Sequence, residues 1–191
     1  MCKCGQQLVK SMQKTILLHI CCANCALYPI ERLLDKGYAL KGLWFNPNIH
    51  PVTEYNLRLN ALKQLQSQWS LEIIYHDKYG LIDFIRGVCG NEGNRCQYCY
   101  TTRLEETAKT AKLEGMDMFS STLLYSRYQK HDSIIEIGRK MEEKYSIEFY
   151  IEDWRIGWHK GIEMSKTLNL YRQKYCGCIY SEMERYLGMQ I

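Results

Sequence analysis

The sequence predicts an α/β fold, an open parallel sheet covered by helices on both faces. Strand-like and helix-like segments alternate along the chain, and the first of them form a strand, helix, strand unit of the parallel type. A length of 191 residues with 46% hydrophobic and 24% charged content supplies apolar surface for one compact core and little more. One domain over residues 15–191 is therefore expected, preceded by a flexible leader over residues 1–14 whose charge is mostly Lys and whose pattern has no clear period.

The elements follow in order. Thr15 to Ile20 reads as a buried strand, Ala26 to Lys36 as a helix ended by Gly37, and Tyr38 to Phe45 as a second strand closed by Asn46-Pro47-Asn48. Val52 to Trp69 carries Tyr55, Leu59, Leu62 and Leu65 at helical spacing, and Leu71 to Tyr75 supplies a third short strand. The glycine-rich stretch Gly87 to Asn94 reads as a surface loop. A helix over Cys96 to Glu114, a strand over Met118 to Thr122, a helix over Ser133 to Tyr145 and a strand over Glu148 to Glu152 complete the core, and His159 to Leu168 is the expected final helix. In open α/β sheets ligands bind beyond the carboxyl ends of the strands, which is where Cys21 to Cys25 fall.

No apolar run approaches the roughly 20 residues that span a bilayer, and no segment reads as a signal peptide, so a cytoplasmic protein without a membrane partner is expected. A net charge of +4 suits a polyanionic partner without demanding one. The ten cysteines say more, because clustered thiols in a reducing compartment are metal ligands or redox groups more often than disulfides. Cys2, Cys4 and Cys89 stand apart and read as ordinary cysteines. The other seven form three groups: Cys21, Cys22 and Cys25; Cys96 and Cys99; Cys176 and Cys178.

Cys96 and Cys99 sit three apart at a helix start, which puts both sulfurs on one side near free N–H groups. Cys22 and Cys25 repeat that spacing, and Gly177 lets the backbone turn tightly between Cys176 and Cys178. One tetrahedral zinc uses four ligands and leaves three thiols over, and the side chains of adjacent Cys21 and Cys22 tend to diverge, so two neighbouring centres account better for seven. Iron–sulfur ligation, a structural zinc site and thiol–disulfide chemistry all stay open at this point. A phosphate-binding glycine loop is absent from the sequence.

Several motifs together resemble the QueH-type epoxyqueuosine reductases. They are His19-Ile20-Cys21-Cys22-Ala23-Asn24-Cys25, Phe45-Asn46-Pro47-Asn48-Ile49, Glu54-Tyr55, Arg95-Cys96-Gln97-Tyr98-Cys99-Tyr100, Ser121-Thr122-Leu123-Leu124, Asp153-Trp154-Arg155, and Tyr171 to Cys178. The likeness runs from about Leu17 to Glu182, with Arg127 standing where the family tends to have Pro. It implies a HUP-like (adenine nucleotide alpha hydrolase-like) three-layer sandwich, a [4Fe-4S] cluster and an additional mononuclear iron held by the seven clustered cysteines. It further implies reduction of epoxyqueuosine to queuosine at the wobble position of tRNA, in the anticodon loop, with electrons from a separate donor. A cluster-bearing tRNA thiolase, a zinc-stapled RNA-binding module and a thiol oxidoreductase are the rival readings.

Such a reaction needs an acid as well as electrons. Asp153 is the candidate proton donor or orienting carboxylate, with an equal alternative as partner of Arg155 or as a helix cap. His19, inside an apolar strand, reads as a core histidine. Tyr100, Tyr171 and Tyr175 are candidates to stack on a flipped base, and Arg95, Arg103, Arg155, Arg172 and Lys174 to form a positive rim.

Overall fold

In the computed structural model, which describes residues 13–189, the strands are β1 (Thr15–His19), β2 (Ala39–Trp44), β3 (Ile73–Tyr75), β4 (Met118–Ser121) and β5 (Glu148–Phe149). They form one sheet in the order β3-β2-β1-β4-β5, all parallel. The helices are α1 (Ala23–Asp35), α2 (Val52–Trp69), α3 (Leu81–Val88), α4 (Arg95–Leu113), α5 (His131–Tyr145), α6 (Trp158–Thr167) and α7 (Ile179–Leu187). Right-handed crossovers in this order put α1 and α2 on one face and α4 and α5 on the other, and each pair packs together. This is the expected three-layer α/β sandwich, and it agrees with a HUP-like fold. The predicted leader falls almost wholly on residues 1–12, outside the described residues, as do Cys2 and Cys4.

The central strand explains the burial. β1 reads Thr-Ile-Leu-Leu-His, and its last four residues are fully buried because a neighbour on each edge and a helix layer on each face leave no solvent side. Its pairing with β2 aligns His19 with Leu43, and its pairing with β4 aligns His19 with Ser121. Strand order reverses between β1 and β4, so the crevice above their carboxyl ends is the natural ligand site.

Four elements differ from the sequence reading. α1 begins at Ala23, three residues early, with Cys22 as its N-cap and Pro29 carried inside the helix. β5 ends at Phe149, where the chain has one more bond to β4, from Tyr150 N–H to the Phe119 carbonyl at 2.8 Å, and then leaves the sheet. The stretch expected as a surface loop contributes Gly87 and Val88 to α3, whose Phe84 and Val88 are buried one turn apart. His159 to Leu168 is not the last helix: α7 follows Cys178, with Ile179, Met183, Tyr186 and Leu187 at helical spacing that the sequence reading did not use and none of them fully buried.

α5 packs on β5 through a glycine. A Cβ at Gly138 would lie 2.0 Å from the Phe149 ring, which is itself held by Phe119 at a centroid distance of 4.9 Å. Gly138→Ala is therefore expected to lose about 1–3 kcal/mol of stability through overpacking, against a gain in helix propensity of at most about 1 kcal/mol. A fall in the urea midpoint checks this, and an unchanged midpoint contradicts it.

Candidate metal centre and active site

The end of β1 delivers three thiols to the switch point. Cys21, Cys22 and Cys25 are all buried, and their sulfurs lie within 4.8 Å of one another. The expected divergence of Cys21 and Cys22 does not occur. The chain bends from β1 into α1 between them, and Cys22, with extended backbone at φ −169° and ψ 160°, turns its sulfur back to accept the Cys25 N–H at 3.3 Å.

Thr122, just past β4, closes the group from the other strand. Its hydroxyl accepts the Cys21 N–H at 3.0 Å and donates to the Cys21 sulfur at 3.2 Å. From the opposite side the Gln173 amide donates to Cys22 at 2.9 Å and reaches Cys25 at 3.7 Å. Donation from the Cys22 and Cys25 thiols holds Cys21 well below the usual thiol range. Burial pushes Cys22 up, and Cys25 rises because it serves as donor to Cys21 and Cys22.

The other four thiols lie near one another, and one of them, Cys176, lines a cavity with Cys21 and Cys25. Cys96 and Cys99 lie in the first turns of α4, and Cys176 and Cys178 flank Gly177, whose φ of +148° is a conformation L side chains rarely adopt. Burial pushes the Cys99 thiol up, and the charges of Cys178, Cys176 and Cys96 add to it. The Asn48 amide donates to the Cys99 sulfur at 2.9 Å while Arg103 Nε donates to Asn48 Oδ1 at 2.7 Å, which fixes which end of the amide faces the sulfur. Gln129 donates to Cys176 at 3.2 Å. All seven thiols are free, and Cys89 is an exposed cysteine.

A buried ion pair carries the Cys176 turn. Arg58 bonds Glu54 Oε1 through Nε at 2.7 Å and donates its other two nitrogens to the Cys176 carbonyl at 2.8 Å and the Tyr175 carbonyl at 3.0 Å. Tyr171 donates to the second Glu54 oxygen. Asn46 Nδ2, at the end of β2, donates to the Ile20 carbonyl at 2.9 Å and so anchors the chain entering the first thiol group.

Above the thiols opens a cavity of about 570 Å³ that reaches Cys21, Cys25 and Cys176. Its walls carry Tyr125, Tyr128 and Trp158 together with Arg172 and Lys174. Of the expected rim, Arg103, Arg172 and Lys174 line this cavity, whereas Arg95 pairs with Glu184 and Arg155 with Asp153.

Asp153 takes both parts of its alternative reading. Its carboxylate accepts from Arg155 Nε at 2.8 Å and Nη2 at 2.7 Å, and it caps the Arg155 N–H at 3.0 Å. The Arg155 side chain holds its pKa down to about 2, so it stays ionised, and it is not among the cavity-lining residues. Its carboxylate is engaged by Arg155 outside the cavity lining. His19 is the core histidine expected, fully buried, with Nδ1 at 2.8 Å from the Ser121 hydroxyl and Nε2 at 3.2 Å from the Phe45 carbonyl. Burial lowers its pKa to about 4 and keeps it neutral.

Of the three candidate stacking tyrosines, Tyr100 is buried with its hydroxyl bonded to Gln129 at 2.8 Å, and Tyr171 is bonded to Glu54. Tyr175 reaches the cavity but is tied to the His50 carbonyl at 2.6 Å. Sequence reading passed over Asn48, Thr122 and Gln173 although each stands inside a quoted motif, and it gave Glu54 no role because its partner Arg58 lies one turn on. No local pattern marks Tyr128 or Trp158.

Comparison with known proteins bears on the same residues. A family model described as "Epoxyqueuosine reductase QueH" matches residues 16–184. A curated relative of that name from Dehalococcoides mccartyi is 36% identical over 175 residues, covering 92% of this chain and 96% of its own. Those from Thermotoga maritima and Streptococcus pyogenes are 34% and 31% identical, covering 90% of this chain in each case and 92% and 72% of their own lengths. The matched span takes in all seven clustered cysteines and the side chains that bond to them, so that the chain belongs to the epoxyqueuosine reductase QueH family.

Proposed function

We propose that this chain is an iron–sulfur oxidoreductase that reduces epoxyqueuosine in tRNA to queuosine. The observation that carries the reading is two sets of free thiols at one crevice: Cys21, Cys22 and Cys25 with sulfurs within 4.8 Å, and Cys96, Cys99, Cys176 and Cys178 near enough to act on one another by charge, with Cys176 lining the same cavity as Cys21 and Cys25. In the overall reaction the two carbon–oxygen bonds of the epoxide break, a carbon–carbon double bond forms, and the oxygen leaves as water. Two protons and two electrons balance it, the electrons arriving singly from an external carrier.

The donor sets fit two centres. Three buried sulfurs within 4.8 Å of one another suit a single ion, which leaves Cys96, Cys99, Cys176 and Cys178 as the four thiolates a [4Fe-4S] cluster takes. The mononuclear iron would then belong to Cys21, Cys22 and Cys25. When bound, the metals supply single electrons and a Lewis acid for the epoxide oxygen. The protein's part is separate. Asn48, Thr122, Gln129 and Gln173 donate hydrogen bonds to sulfur, favouring thiolate over thiol, and Arg58 and Arg103 place positive charge beside the site.

Arg172 and Lys174 supply the phosphate-binding charge. Replacing Arg172 by Ala is expected to weaken tRNA binding and reduce the slope of log K against log salt by about one. Equal binding at every salt concentration removes it from that role. The function itself is tested by expressing the chain in cells that lack their own epoxyqueuosine reductase. Queuosine in their tRNA is the expected result, and tRNA still carrying epoxyqueuosine overturns the reading.

A further inference from the structure

The cavity mouth has an aromatic wall that the metal chemistry does not use. Tyr125 stacks on Trp158 with centroids 5.5 Å apart and planes at 26°, and its hydroxyl donates to the Trp158 carbonyl at 3.1 Å. Arg127 lies over the same indole at 5.6 Å from its centroid. Tyr128 meets Trp158 edge-on at 5.8 Å and is nonetheless 82% exposed, although it lines the cavity that holds Cys21, Cys25 and Cys176.

An exposed tyrosine braced by a tryptophan offers a flat surface at low entropic cost, and Arg127 adds a planar cation beside it. Among the described residues neither Arg127 nor Arg172 makes an ion pair; Arg127 lies over Trp158, and Arg172 lines the same cavity as Tyr128. Unpaired, unstacked nucleobases beside phosphates are the chemistry that matches such a wall.

We propose that Tyr128, supported by Trp158 and Arg127, is a stacking platform for a nucleobase next to the one being reduced. It makes single-stranded loop RNA, rather than duplex RNA, the form this enzyme grips. The inference rests on the epoxyqueuosine reductase reading and deepens it, because it assigns recognition to the neighbouring base as well as the modified one. Tyr128 contributes to specificity by positioning and takes no part in the chemistry.

The test compares binding of a synthetic anticodon stem–loop RNA with that of a duplex of equal length, by fluorescence anisotropy over a salt series. Wild type is expected to prefer the stem–loop. Tyr128→Ala is expected to weaken stem–loop binding about tenfold with the salt slope unchanged and duplex binding unaffected, and Tyr128→Phe to restore it. Equal stem–loop binding by wild type and Tyr128→Ala, or failure of Phe to restore it, overturns the platform and leaves the proposed function standing. A wild-type protein that binds no stem–loop overturns both.

Discussion

Replacing Arg58 by Met is expected to cost about 3–5 kcal/mol of stability, because it strips the partner from a buried carboxylate, and to leave the protein short of metal. Glu54 and Arg58 are both buried, so the lost charge is not replaced by water. The same substitution frees the Tyr175 and Cys176 carbonyls that the guanidinium holds at 3.0 and 2.8 Å, and with them the turn that presents Cys176 and Cys178. Lys at this position keeps the charge but cannot make three directed bonds, so Arg58→Lys is expected to fold better than Arg58→Met and still bind less iron. Urea denaturation and iron content of the reconstituted variants check both parts. Full metal content in Arg58→Met would show that the turn holds without its clamp.

The second large effect separates the two donor sets. With a cluster on Cys96, Cys99, Cys176 and Cys178 and one iron on the remaining three, the reconstituted protein carries about five irons and four sulfides per chain. Cys99→Ser is expected to remove the acid-labile sulfide and most of the iron. Cys25→Ser is expected to remove about one iron and keep the sulfide and the visible absorption that bleaches with dithionite. The opposite pattern reverses the assignment of the two sets. Zinc at about one per chain with no sulfide in wild type would instead support the zinc-stapled module.

Much of this was legible in the sequence because it is written locally. Short apolar runs between periodic segments are enough to place β1, β2 and β4, and thiol pairs three apart at helix starts are enough to pick out Cys22 with Cys25 and Cys96 with Cys99. The joining of these groups was not legible. It depends on the reversal of strand order between β1 and β4, a tertiary event that brings Thr122 onto Cys21, residues 101 positions apart. α7 was missed although Ile179, Met183, Tyr186 and Leu187 stand at helical spacing over its nine residues, and the start of α1 escaped because a cysteine rather than Ser, Thr or Asp serves as its cap. Asp153 shows the converse limit. Its place after a strand suggests chemistry, and the bidentate grip of Arg155 two residues on could not be told from sequence position.

The most direct test of the account is nucleoside analysis by mass spectrometry of epoxyqueuosine-containing tRNA, after anaerobic incubation with the iron-loaded protein and dithionite. Queuosine, lacking one oxygen, is the expected product, in amounts exceeding one turnover and absent when the protein is stripped of metal. Unchanged epoxyqueuosine in the presence of fully loaded, reduced protein would contradict it.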